Sequence, residues 1–202
     1  QRERLMYENK IITEPKWKSW IVQTTTPLFT PEQCNQIIAS GRAQKPQQAQ
    51  VGMSKPGGGT DTKKRVTTIS WIPFQEMGHM YQDLNSFIQK ANENHFGFGD
   101  IQVTENAQFT EYPEGGFYDW HMDCDVNMEH EPPVRKISMT VLLNDPSEFE
   151  GGHLELMAPG KFAELKQGHA IIFASFLNHR VNPVTRGMRQ SLVVWFGGKA
   201  FR

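Results

Sequence analysis

The chain has 202 residues, a formal net charge of −1 at pH 7 and 38% hydrophobic residues. That is enough apolar material for one well-cored domain over residues 1–202, with a small helical flank. The near-neutral balance gives no electrostatic ground for a nucleic-acid or anionic-membrane partner, and no apolar run approaches the ~18 residues of a spanning helix.

Residues 1–29 are polar with two scattered tryptophans, Trp17 and Trp20, and residues 19–24 are expected as an N-terminal strand. No secretory signal is visible, and the start at Gln1 leaves a removed leader open. Thr30-Pro31-Glu32-Gln33 reads as a helix start, with threonine at the N-cap, proline at the first position and glutamine three residues past the cap. Cys34, Ile37 and Ile38 would form the buried face of that helix and Gly41 its end. Cys34 is expected as a packed thiol. With Cys124 it makes no disulfide framework, which points to a reducing, cytoplasmic setting.

Residues 43–64 hold few apolar residues and contain Pro46, Pro56 and Gly57-Gly58-Gly59. A loop this long inside a compact domain is usually functional or disordered, so residues 46–62 are a candidate substrate lid. Lys63-Lys64-Arg65 reads as a solvated charge run, and residues 66–72 alternate as a strand. Residues 75–94 form the longest predicted helix, with Met77, Met80, Tyr81, Leu84, Phe87, Ile88 and Ala91 on one face. His79 and His95 fall at surface or capping positions. From Ile101 the texture becomes short segments between turn residues. Strands are expected over 103–112, 117–123, 136–143, 152–157, 164–166, 170–173, 179–184 and 189–196. Many short strands with regular turns point to a sandwich or jelly roll.

Within that region His121-Met122-Asp123 and the distal His179 match a 2-His-1-carboxylate set, which suits non-haem Fe(II) and leaves coordination positions open. Side chains two apart on an extended segment share a face, so His121 and Asp123 can reach one metal, with His179 brought alongside on another strand. Asp125 repeats the spacing, but the register favours Asp123. Cys124 should point away from the metal; as a ligand it would favour zinc. His130, His153 and His169 lack partners at ligand spacing.

Arg189, ten residues past His179, extends the reading. Two neutral imidazoles and one carboxylate leave Fe(II) with one positive charge. A ligand chelating through a carboxylate and a neighbouring keto oxygen would cancel it. A second carboxylate on that ligand needs a buried cationic partner, and the arginine fork grips a carboxylate with two hydrogen bonds. Pro183 and Gly187 mark a turn, and two antiparallel strands joined there would set Arg189 near His179. The implied cosubstrate is 2-oxoglutarate.

The HMD triplet, His179 with the following Arg180-Val181-Asn182-Pro183-Val184-Thr185-Arg186-Gly187-Met188-Arg189, the Gly151-Gly152 pair and Tyr112 together resemble the Fe(II)/2-oxoglutarate-dependent oxygenases. The nearest subgroup is the prolyl 4-hydroxylase-like one, with the bacterial and phage PKHD-type hydroxylases. The resemblance is good over residues 100–200 and loose before them. It implies a mainly β fold with flanking α-helices, a double-stranded β-helix (jelly roll) over 101–202 supported by 1–100. It implies a catalytic set of His121, Asp123, His179 and Arg189, with Tyr112 lining the 2-oxoglutarate pocket; Ser191, two beyond Arg189 on the same strand face, could also touch the distal carboxylate. Some prolyl hydroxylases carry a pocket tyrosine on the strand matching 136–143, where this chain has Ser138, Met139, Thr140 and Val141. Trp120 and Trp195 wall the pocket or fill the core.

The implied activity uses Fe(II), 2-oxoglutarate and O2, with ascorbate by resemblance only, and hydroxylates an aliphatic C–H with release of succinate and CO2. A prolyl or other peptidyl side chain is favoured as substrate, on a monomer or homodimer. A free amino acid or small metabolite is the alternative substrate. A cupin-like metal enzyme without 2-oxoglutarate and a non-catalytic jelly roll are the alternative classes.

Overall fold

A computed structural model describes residues 19–48, 63–124, 133–158 and 164–200. The candidate lid over 46–62 falls almost wholly outside these residues, as do Trp17, Asp125 and His130. Among the described residues, no helix is long and apolar enough to cross a membrane.

The first strand is β1 (Ile21–Gln23). Helix α1 (Pro31–Ala43) starts as its sequence indicates: Thr30 and Gln33 close a reciprocal capping box, and Pro31 occupies the first turn, where its missing N–H costs nothing. It runs two residues past Gly41, because that glycine serves packing. A Cβ there would stand 2.3 Å from the Phe109 ring. The expected strand over 66–72 divides: β3 (Arg65–Val66) and β4 (Thr68–Ile72) join different sheets, and the short β2 (Gln47–Gln48) pairs with β4. Helix α2 (Gly78–Ala91) follows and continues as a π-helical turn over Asn92–Phe96, stopped by Gly97 at φ 72°. His79 is exposed, and the His95 carbonyl accepts the Ser19 N–H.

The remaining chain is β: β5 (Gln102–Val103), β6 (Ala107–Tyr112), β7 (Phe117–His121), β8 (Val134–Leu142), β9 (Phe149–Gly151), β10 (Leu154–Leu156), β11 (Ala170–Ala174), β12 (His179–Val181), β13 (Val184–Gly187) and β14 (Arg189–Gly198). The segment 164–166 is not a strand, and the chain turns at Gln167-Gly168 directly after it. The large sheet runs β1-β11-β8-β14-β6-β4-β2 with β5 also on β14, the small sheet runs β10-β12-β7-β3, and β13 pairs β9. Every pairing is antiparallel. The large and small sheets form the jelly roll.

Alternation along the strands sorts residues between two faces. Ile72, Phe109, Ile137, Met139, Val141, Ile172, Leu192, Val194 and Phe196 pack with Ile37 of α1 and Met80, Tyr81, Leu84 and Ile88 of α2 in the main core. The α2 side is the methionine-aromatic stripe read from its spacing. The opposite face of the same sheet carries Gln108, Thr110, Ser138, Thr140, Arg189 and Ser191, all buried.

Candidate functional site

His121 ends β7 and His179 begins β12, and the two are directly opposite Cα partners. A register shift between His179 and Val181 lets Tyr118 stack on His121, ring centroids 3.4 Å apart at 14°. Asp123 lies past the end of β7, in a bend, rather than on the continuous extended segment expected. Its N–H and that of Cys124 both donate to the Ser175 carbonyl. One Asp123 oxygen stands 3.5 Å from His121 Nε2 and the other 3.5 Å from His179 Nε2. One ligand atom from each residue falls within a 4.8 Å span. Cys124 is buried and belongs to no such cluster among the described residues.

The surroundings set the chemical state of each group. His121 Nδ1 meets the Asp119 carbonyl at 2.7 Å and His179 Nδ1 meets the Leu177 carbonyl at 3.0 Å. A carbonyl can only accept, so Nδ1 carries a proton in both rings and Nε2 is the nitrogen turned to the cluster. Burial pushes the His179 pKa down, against the pull of Asp123, which favours the neutral ring. Burial pushes the Asp123 carboxyl up, but His179, and then His121, outweigh it and hold the group well below the usual carboxylate range. Ser138 Oγ donates to Asp123 at 2.7 Å and lies 2.9 Å from Ser175 Oγ, fixing the carboxylate from behind. Two imidazoles held at Nδ1 by carbonyls and an ionised carboxylate, each oriented by a second hydrogen bond, could hold a divalent metal through three neighbouring positions and leave others open.

Arg189 does not reach this cluster by a hairpin with His179. β13 intervenes, and β12 and β14 lie in different sheets. The side chain is 3% exposed, Nη1 donates to Ser191 Oγ at 3.1 Å, and the guanidinium carbon stands 5.5 Å from the centre of the Tyr112 ring. Tyr112 is its Cα partner on β6. The structure thus brings Arg189, Tyr112 and Ser191 together. Among the described residues no carboxylate pairs with this buried cation. Gly152 explains part of the fit: at φ 65° it lies so close that a Cβ would stand 2.7 Å from Arg189 Cδ.

Two residues near the cluster were given no place in the metal site or the 2-oxoglutarate pocket from the sequence. Ser138 is one, on β8, the strand that carries Ser138, Met139, Thr140 and Val141 and no tyrosine. Arg65 is the other. The charge run splits, with Lys63 and Lys64 exposed and Arg65 9% exposed. As the first residue of β3 it pairs with Tyr118, and its Cζ lies 4.2 Å from the Tyr118 ring centre. Burial pushes the Tyr118 phenol up to about 12, so Arg65 meets a ring and not a phenolate. Trp195 is buried on the inner face beneath Arg135, which Glu105 grips through two 2.6 Å hydrogen bonds. Trp120 instead is 38% exposed, under Arg180.

The model of the 2OG-Fe(II) oxygenase superfamily matches residues 107–197. A PKHD-type hydroxylase of Xylella fastidiosa (strain M12) is 39% identical over 99 residues, 44% of this chain and 42% of that protein. The chain spans about two-fifths of the length of such curated relatives. The fold is similar to a Pseudomonas putida prolyl-4-hydroxylase, at TM-score 0.64 and 21% identity over 88% of this chain and 92% of that one. It is also similar to a prolyl hydroxylase from Trichoplax adhaerens in complex with a hypoxia inducible factor oxygen degradation domain peptide fragment. There the TM-score is 0.63 and the identity 19%, over 97% of this chain and 89% of that one.

Proposed function

We propose that the chain, whose residues 107–197 match the model of the 2OG-Fe(II) oxygenase superfamily, is an Fe(II)- and 2-oxoglutarate-dependent dioxygenase that hydroxylates an aliphatic C–H of a peptidyl residue, proline first. The observation that carries the reading is a pair of features in one barrel. A converging His121, Asp123 and His179 set shares the barrel with a buried Arg189 that has no carboxylate partner among the described residues. A cupin-like metal site alone gives no account of that arginine, whose burial without an anion is costly.

In this reading His121, Asp123 and His179 hold the iron, and Arg189 holds the distal carboxylate of 2-oxoglutarate with Ser191 and Tyr112 beside it. The bound Fe(II), 2-oxoglutarate and O2 supply the oxidising power that places a hydroxyl on an unactivated carbon, with succinate and CO2 as coproducts. The carbonyls of Asp119 and Leu177 keep the ligand protons on Nδ1. Ser138 keeps Asp123 oriented. The apolar cluster of Tyr112, Val181 and Val184, with Tyr118, Phe149 and Leu154 against it, walls the Arg189 side from water and strengthens its attraction for an anion. The peptidyl substrate is supported by the likeness to prolyl hydroxylases, one of them holding a peptide fragment.

The experiment is succinate release from 2-oxoglutarate with Fe(II), run against omission of either and against zinc or manganese. Turnover that needs both Fe(II) and 2-oxoglutarate is the expected result; none above the zinc control overturns the oxygenase reading. Calorimetric iron titration of His121→Ala, Asp123→Ala and His179→Ala should show loss of binding in a folded protein. Unchanged affinity in any one removes that residue from the metal site.

A further inference from the structure

Arg65 is, like Arg189, a buried cation, and its bonding is incomplete. Nη2 donates to Gln108 Oε1 at 3.0 Å, the guanidinium lies over Tyr118, and Nε has no hydrogen-bond partner while fully shielded from solvent. Among the described residues no carboxylate meets it. Gln108 brings no charge, and its oxygen is already shared with Thr110 Oγ1 at 3.4 Å. Arg65 starts on the small sheet, beside Tyr118, and reaches Gln108 on the inner face of the large sheet, so it spans the barrel interior. The Tyr118 ring it covers is stacked in turn on His121.

Gln108 lies four residues along β6 from Tyr112, the partner of Arg189, which is about 13 Å at the rise of a strand. By register its level, shared with Val193 and Thr140, falls between that of Arg189 and that of Ser138, which meets Asp123. Arg65 therefore stands nearer the metal end of the barrel than Arg189 does, next to the Tyr118–His121 stack. A buried guanidinium with a spare N–H is satisfied best by a carboxylate, which supplies both the charge and the acceptor.

We infer that Arg65 is a specificity determinant that binds a carboxylate of the prime substrate beside the Tyr118–His121 stack. The inference rests on the oxygenase reading and narrows its substrate class from any peptidyl residue to one that presents an anion close to the oxidised carbon. That anion is an acidic side chain next to the target residue or the free carboxylate of a chain end or amino acid.

The test uses the iron-loaded enzyme and a panel of matched compounds. These are capped proline peptides with Glu or Gln on either side, one neutral proline peptide ending in a carboxylate or an amide, and free proline or prolinamide. Substrate-stimulated succinate release is read for wild type, Arg65→Met and Arg65→Lys. At least one carboxylate-bearing member should exceed its neutral match in kcat/KM by about tenfold or more, since a site built to bond a group rejects the analogue without it. Arg65→Met should bring that ratio to near one, and Arg65→Lys should restore part of it. Which pair shows the ratio tells an acidic side chain from a terminal carboxylate. A wild type without any carboxylate preference, or a preference that survives Arg65→Met, overturns the inference. Stimulation by no member at all also overturns it, while persistent substrate-free succinate release leaves the oxygenase reading standing. A second readout needs no substrate: if the charge awaits its partner, Arg65→Met raises the Tm of the free protein, by about 2–4 °C. A lower Tm would mean that the chain itself already neutralises Arg65, and would equally overturn the assignment.

Discussion

On β8, Ile137, Met139 and Val141 face the helices, while Ser138 and Thr140, from the same strand, face the small sheet. β14 repeats the division, with Leu192, Val194 and Phe196 on one side and Arg189 and Ser191 on the other. Both faces are buried, so burial alone does not separate stability from function. The outer face meets two amphipathic helices and removes apolar area from water, which is where folding free energy comes from. The inner face buries hydroxyls, an amide and guanidinium groups, each of which costs free energy until a partner satisfies it. A wall this polar on the inside of a close-packed sheet makes sense as one prepared for ligands.

The comparison breaks first at Phe196. Truncating this fully buried ring should cost about 3–5 kcal/mol, read as a lower denaturation midpoint, and should not change iron affinity of the folded fraction. If Phe196→Ala left stability unmoved, the outer face would not be the stabilising one.

Arg189→Ala puts the opposite demand on the inner face. It should weaken 2-oxoglutarate by about 2–5 kcal/mol, with iron binding nearly intact. A 2-oxoglutarate affinity equal to wild type would leave the cosubstrate pocket without its anchor and require another site for it.

Ser138→Ala is a finer probe, because this hydroxyl touches the Asp123 ligand and not the metal. Removing such an orienting bond lowers metal affinity by about 10–100-fold; calorimetry should show that loss with little change in unfolding of the metal-free protein. Wild-type affinity would mean that the two backbone bonds to Ser175 suffice to orient Asp123.

The smallest effect is a slope against pH. Folding lowers the His179 pKa from its ordinary 6.5, chiefly through burial. Below about 6.5 the unfolded chain therefore binds more protons than the folded one, and the stability of the metal-free protein falls as pH drops. His179→Gln should flatten this slope in thermal melts taken between neutral and mildly acidic pH. A slope unchanged by the substitution would show that another group carries it.

By itself the sequence determined the features that depend on neighbours along the chain. The capping box at Thr30 and the 3.6-period apolar stripe of α2 both depend on residues a few positions apart, and a helix is found at each. The His121, Asp123 and His179 set was legible because the chemistry of a metal limits the residue types and their spacing. Arg189 is buried, as the charge argument for a cation expected, but the hairpin expected to set it near His179 does not form. Only the tertiary structure decided which sheet each short strand joined, and hence that β3 and β4 part after Val66. That parting turned Arg65 from the last member of an exposed-looking charge run into a buried cation beside Tyr118. The same applies to Ser138, one serine among alternating strand residues until β8 comes alongside the Asp123 bend. Strand pairing joins residues far apart in the chain, so the environment of each depends on a partner that local pattern does not encode.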